Sequence, residues 1–302
     1  MGQTFKDFLQ EDVAADAAKL QADIANTDAA IQQRTASLVT QRQRLQKMLA
    51  MKMKQQEQED KQKGQQQQAG QQPAAPGSTP TMSFTHLDTI QPLELKTTEG
   101  NRGRFYLVDE ETKFPSITTI LGAGEKPHLE AWRQSLGVEK ATAETKRCAD
   151  RGTAVHLMVE RFLQNDPDPT KGCHFAHADE FRSLKMVLRR IDNILVQEGA
   201  LYSRILKTAG RVDCIAEYDG KLAVIDFKTS TNTKNTHMIK DYYLQTTAYA
   251  WMLEELYGIH VEDIVIIMSV EKGLPLVLKE KTEHFIQPLC ERINTYYKNI
   301  KA

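Results

Sequence analysis

Apolar and polar positions divide the chain into three stretches of different period. Residues 5–52 contain neither Pro nor Gly and are rich in Ala, Gln, Lys and Glu, all tolerated in helices. Leu20, Ile24, Thr27, Ile31, Arg34, Leu38, Gln41, Leu45 and Met48 recur at alternating steps of four and three. That is a heptad seam interrupted by Arg34 and Gln41, and it predicts a helical or coiled-coil segment over residues 1–54. Residues 55–72, QQEQEDKQKGQQQQAGQQ, hold ten Gln in eighteen positions and lead into PAAPGSTPT. Such a stretch cannot bury enough apolar surface to offset its ordering entropy, so residues 55–82 read as a linker. A globular domain is expected over 83–302.

Within that domain the period alternates. RFYLVD (104–109) predicts a strand, and FPSITTILGA (114–123) an extended lead into a helix. Helical spacing covers 126–146, 150–164 and 176–198, the last closed by Gly199 as a C-cap. LYSRIL (201–206) predicts a strand, and a strand hairpin follows over 210–230. A helix comes next at about 238–257, then strands DIVIIMSV (263–270) and PLVLKEK (275–281) and a last helix over 283–299. Strands and helices interleaved in this way argue an α/β domain with a mixed central sheet flanked by helices.

The hairpin GRVDCIAEYDGKLAVIDFKTS carries the chemistry. Asp219-Gly220 is a two-residue turn signal, and a turn there sets Tyr218 opposite Lys221. Counted back along both strands, Asp213 falls opposite Asp226 and Arg211 opposite Lys228. Two facing carboxylates repel unless a positive charge lies between them. A divalent cation meets that need, because Mg2+ favours one or two carboxylates with substrate phosphates. Strict alternation places Asp213, Asp226, Lys228 and Arg211 on one face, with Val212, Cys214, Ala216, Ala223, Ile225 and Phe227 on the other. Such a set can polarise a phosphoryl oxygen and activate water, with a Lys228 of lowered pKa acting on that water. The expected reaction is metal-assisted hydrolysis of a phosphodiester.

Composition changes this picture little. Across 302 residues the formal net charge is −1, which points to no polyanion binding by bulk charge. No apolar run approaches 18 residues, so no transmembrane helix and no membrane partner are expected. MGQTFKDFLQED lacks an apolar signal core, and Lys6 breaks the myristoylation pattern. Cys148, Cys173, Cys214 and Cys290 are scattered without a CxxC pair, which fits reduced thiols in a cytoplasm, bacterial or of a phage-infected cell. GAGEKP (122–127) is no Walker motif, so no nucleotide site is inferred from it.

The order G-x-x-D followed by D-x-K over residues 210–228 resembles the PD-(D/E)XK nuclease superfamily. More narrowly it resembles the RecB-like exonuclease branch, which includes the mitochondrial genome-maintenance exonuclease and phage exonucleases. The resemblance covers roughly residues 100–270 and implies a restriction-endonuclease-like core. RGTAVHLMVERF (151–162) is similar to the helix that carries a metal-binding histidine there, so the resemblance implies His156 as a ligand beside Asp213, Asp226 and the carbonyl of Phe227. A nitrogen ligand makes Mn2+ suitable as well as Mg2+. Gln245 and Tyr249 in YYLQTTAYAW match the Q-x-x-x-Y motif, implying support of Lys228 or the scissile phosphate and contact with DNA. Glu198 matches an acid that assists the metal; at a helix C-terminus it would oppose the dipole, which suggests such a role.

KTSTNTKNTHMIKDYY (228–243) is rich in hydroxyl, amide and lysine groups, so Thr229, Ser230, Lys234 and Lys240 are expected to cradle a phosphate backbone, and the resemblance adds Ser116, Thr118 and Trp132, with Arg151 and Arg211, to the DNA-binding set. Arg104, Lys126 and Arg133 are similar to residues of the family's N-terminal segment. Some members hold an iron–sulfur cluster through one upstream and three closely spaced C-terminal cysteines. Only Cys290 follows the core here, so no cluster is expected. The resemblance implies a metal-dependent DNA exonuclease acting on single strands or ends in replication, recombination or repair, in a phage setting among others. A structure-specific endonuclease and a non-catalytic DNA-binding scaffold are the alternatives. The N-terminal helix would mediate self-association or recruit a replication or recombination protein.

Overall fold

A computed structural model describes residues 83–301 except 92, 125–126, 233–235 and 272. The coiled-coil and linker expectations therefore fall outside the described residues, as do Lys126 and Lys234. The central sheet has five strands: β4 (Ile191–Ser203), β5 (Thr208–Tyr218), β6 (Lys221–Ser230), β7 (Asp263–Val270) and β8 (Leu276–Lys281). They lie in chain order, antiparallel except for the parallel pair β6 and β7. A smaller antiparallel sheet precedes it, formed by β1 (Thr97–Gly100), β2 (Gly103–Leu107) and β3 (Lys113–Pro115). Tyr106, Phe114 and Ala209 are packed together where this small sheet meets β5. The expected α/β class, with a mixed sheet flanked by helices, is what forms.

The helices are α1 (Ile117–Gly122), α2 (Pro127–Leu136), α3 (Val138–Leu163), α4 (Phe175–Leu188), α5 (Thr236–Tyr257) and α6 (Ile286–Lys301). Val155, Met158, Val159 and Leu163 of α3, with Phe181, Leu184 and Leu188 of α4, cover one face of the large sheet. They meet Cys214, Ala216, Ala223, Ile225, Phe227, Val265 and Ile267. Ile215, Val224 and Ile266 point to the opposite face and are equally buried, and α5 makes the parallel crossover on that side. Burial on both faces explains the near-continuous apolar runs of β6 and β7.

Two sequence boundaries are corrected. The helical stretch expected to break between 146 and 150 is one continuous α3 of 26 residues. The helix expected over 176–198 ends at Leu188, and Glu198 lies in β4 rather than at a helix C-terminus. The spacing of Ile191, Ile194 and Leu195 suits a helix, but Ile191 instead pairs with Tyr218 of β5, Ile194 bridges to His86, and all three are buried. LYSRIL likewise supplies only the end of β4.

Candidate active site

The hairpin has the expected register: Tyr218 faces Lys221, and the pairing runs back to Cys214 and Ile225. The paired ladder stops there, one step short of Asp213 and Asp226. Instead of continuing, β5 offers the Asp213 carboxylate, whose Oδ2 accepts the Phe227 N–H at 2.8 Å. N–H and C=O of one strand residue point to the same edge. The Phe227 carbonyl therefore also faces the opening that β5 leaves.

The in–out alternation slips at the same point. A Cβ on Gly210 would sit 2.7 Å from Cε1 of Tyr249 in α5, so Gly210 faces α5. Cys214, four residues on, would share that face in a regular strand. It lies instead under α3 and α4. The neighbouring strand has a matching irregularity: Glu198 adopts a φ of 51°, between the pairs Gln197–Cys214 and Gly199–Val212. Gln197 donates to the Glu160 carbonyl of α3 at 2.8 Å, and Glu198 opens into the cleft beside that helix. The β4–β5 register is the same on both sides of Glu198, so the change is in which way side chains face and not in the pairing.

The slip corrects the one-face expectation. Arg211 and Asp213 turn toward α3, whereas Asp226 and Lys228 point toward α5. Arg211 and Lys228 are thus on opposite sides of the sheet, and Val212 leaves the apolar set of Cys214 and Ala216. Asp213 stands at the break between the two sides.

Around it lies a cleft of about 610 Å3, lined by Arg104, Gly152, Thr153, His156, Leu157, Glu160, Glu198, Arg211 and Asp213. His156 Nδ1 is 3.8 Å from Asp213 Oδ2. Asp226 is wholly buried, and Lys228 Nζ lies 2.5 Å from its Oδ2. That ion pair engages Oδ2, whereas Oδ1 is buried with no partner. Burial pushes the Asp226 carboxyl above its ordinary range, Lys228 pulls against this, and Asp213 adds to the rise. Burial alone would lower Lys228, but the charges of Asp226 and Asp213 outweigh it and hold the ammonium above the usual lysine range. With no ion between the acids, the Asp226–Lys228 pair favours the charged ammonium. Burial, then the charges of Asp213 and Glu160, push Glu198 up to about 7.

Such a concentration of carboxylates, with Asp226 Oδ1 buried and unpartnered, fits a divalent cation, which would relieve both the repulsion and the desolvation. Among the described residues no three His, Cys, Asp or Glu side chains are already gathered as a cage. Asp226 is turned to Lys228, so occupancy requires its carboxylate to be shared between the ammonium and the ion.

Other expected residues are distributed differently. Gln245 Nε2 donates to the Tyr249 hydroxyl at 3.3 Å, and both are buried, so Tyr249 forms a wall inside the fold rather than a DNA contact. Arg151, expected at DNA, is also buried: its Nη1 donates to Glu271 at 2.5 Å, and Glu180 lies 3.9 Å from its Nε. Ser116 is the N-cap of α1, accepting from Thr119 N at 2.9 Å, and its hydroxyl meets Thr118 Oγ1 at 2.9 Å. Ser230 is buried against the Asn232 carbonyl. Thr229 and Trp132 are half-buried, while Thr118, Arg211 and Lys240 are exposed. Glu160 is a cleft acid that the sequence reading missed. Its place four residues after His156, on the same helical face, was the available signal.

A five-stranded mixed sheet flanked by helices, with an acid pair and a lysine at its interrupted centre, is consistent with a restriction-endonuclease-like fold. Residues 131–270, just under half of the chain, match the family model of the PD-(D/E)XK nuclease superfamily. The mouse mitochondrial genome maintenance exonuclease 1 is 29% identical over 179 residues, covering 55% of this chain and 52% of that protein. The human protein of the same name is 27% identical over 175 residues, covering 53% of this chain and 50% of its own length. The chain thus matches about half the length of these curated relatives. The crystal structure of an exonuclease candidate from Eubacterium rectale aligns at 10% identity with a TM-score of 0.36, covering 50% of this chain and 66% of that one. That likeness is too loose to argue from. Nucleases of the superfamily generally use divalent metal ions. Among the described residues no helix is long and apolar enough to cross a membrane.

Proposed function

We propose that the protein is a metal-dependent DNA exonuclease that hydrolyses phosphodiester bonds at single strands or DNA ends, in replication, recombination or repair. The observation that carries this reading is the opened ladder at Asp213 and Asp226, with Lys228 against one acid and His156 against the other. Asp213, Asp226, His156 and the Phe227 carbonyl would hold Mg2+ or Mn2+. The ion, when bound, supplies Lewis-acid polarisation of the phosphoryl oxygen and a more acidic water.

The remaining roles fall to the chain. Lys228, anchored on Asp226, orients the attacking water and offsets charge that develops on the phosphate. Glu198, across the β4–β5 pair from Asp213, is poised near neutrality to exchange a proton in the cleft. Gln245 and Tyr249 back the site from α5 and keep water from its inner side. Arg211, exposed at the cleft, is placed for a substrate phosphate, as are Thr229 and Lys240 near the end of β6 and along α5.

The test is digestion of end-labelled single- and double-stranded DNA with Mg2+, Mn2+ or chelator, beside Asp213→Ala and Lys228→Ala. Cleavage by the wild type alone, dependent on the ion and releasing products from an end, is the expected result. Equal cleavage by both variants would overturn the catalytic assignment. Efficient cutting of a circular single strand would overturn the exonuclease reading in favour of an endonuclease.

A further inference from the structure

The small sheet mounts one cleft residue more firmly than its surface position requires. Arg104 of β2 lines the same cleft as His156, Glu198, Arg211 and Asp213. Its backbone is gripped at both polar groups. The Arg104 N–H donates to Thr119 Oγ1 at 3.0 Å, and its carbonyl accepts from Ser116 N at 2.8 Å and from Thr119 Oγ1 at 3.2 Å. Ser116 Oγ meets Thr119 Oγ1 at 2.8 Å and completes the network. The approach is so close that a Cβ on the preceding Gly103 would lie 2.6 Å from Thr119 Oγ1, and Gly103 has a φ of 102°. Ser116 thus serves the backbone of an arginine and not a phosphate.

The Arg104 side chain has a stand-in partner. Its Nε donates to Glu99 Oε1 at 2.7 Å, with both side chains more than half exposed. A surface pair of that exposure is weakly held. Planar guanidinium groups match phosphate oxygens through paired N–H donors. We propose that Arg104 is a substrate-positioning residue: it takes the phosphate next to the scissile one, and Glu99 is the carboxylate that this phosphate displaces. The proposal rests on the nuclease reading above for its substrate. It adds an anchor in the cleft that Asp213 also lines, and a built-in competitor for that anchor.

The experiment measures binding of a single-stranded oligonucleotide in chelator as a function of salt, with cleavage followed separately in Mn2+. Arg104→Ala should weaken binding on the order of tenfold at low salt and reduce the salt slope by about 0.7, the share of one phosphate contact on a single strand. Glu99→Gln should do the reverse and tighten binding about two- to threefold. An oligonucleotide with one uncharged methylphosphonate, moved along the strand, should show a position whose neutralisation weakens the wild type and leaves Arg104→Ala unaffected. Wild-type cleavage with an unchanged slope in Arg104→Ala, or weaker binding by Glu99→Gln, would overturn the Arg104 assignment alone. A wild type that neither binds nor cuts DNA would overturn the proposed function itself.

Discussion

Gly210 offers a quantitative probe of how the interrupted sheet is packed. It has an ordinary backbone conformation, so alanine adds a methyl group and no dihedral strain. That methyl would stand 2.7 Å from Tyr249 Cε1, 2.9 Å from its hydroxyl and 3.2 Å from Cζ. All three contacts are to one fully buried ring, which is held by Gln245 and has no room to swing away. Overpacking of this kind costs roughly 1–3 kcal/mol. The assay is urea unfolding, where Gly210→Ala should lower the midpoint by roughly 0.5–1 M. A double-mutant cycle isolates the cause. In a Tyr249→Ala background the added methyl enters vacated space, so most of the cost should vanish, giving a coupling of about 1–3 kcal/mol. An equal cost in both backgrounds would refute the claim that Gly210 faces α5, and with it the slip in alternation at Asp213. Because Tyr249 backs the site, cleavage should fall in Gly210→Ala at temperatures where it remains folded.

Two further outcomes follow from the acids. Mn2+ at a hundred times its dissociation constant should stabilise the wild type by about 2.7 kcal/mol, read as a rise in Tm, and Asp213→Ala should lose most of that rise; an equal rise in both proteins would place the ion elsewhere. Glu198 is a carboxyl whose folded pKa, about 7, lies above its unfolded value, so the folded state binds the extra proton. Stability from this group is full below about pH 4.3 and is lost as the pH rises through 7. In chelator, Glu198→Gln should therefore be more stable than wild type at pH 8, on the order of 1–2 kcal/mol after allowance for solvent screening, with the difference shrinking by pH 5. A gap that is constant with pH would remove the titration from the explanation.

What the sequence made legible was local. Asp219-Gly220 specified the turn and hence the register of β5 and β6, and the run Asp263–Val270 read as a strand with its observed bounds. The boundary after Leu188 was not legible, because Ile191, Ile194 and Leu195 fit a helical stripe as well as a buried strand. Tertiary pairing decides it, of Ile191 with β5 and of Ile194 with Thr85 and Leu87. Nor was the slip at Glu198 and Asp213 visible, since a left-handed backbone usually announces itself by Gly or Asn and here belongs to Glu198, one residue before Gly199. Arg151 and Tyr249 carry surface chemistry in their side chains. Only the packing of α3 against the end of β7, and of α5 against β5, shows that both are interior.

The order of the strands bears on how the site is assembled in time. Asp213 and Asp226 belong to one hairpin and meet through a short loop closure. The contacts of α3 with this region, such as His156 with Asp213 and Arg151 with Glu271, close loops of 57 and 120 residues. Local closures form first. The two carboxylates therefore come near each other before α3 reaches Asp213, and the hairpin must tolerate their repulsion while still exposed to water. Mildly acidic or ion-rich conditions that mute that repulsion should speed refolding, whatever they do to the folded protein.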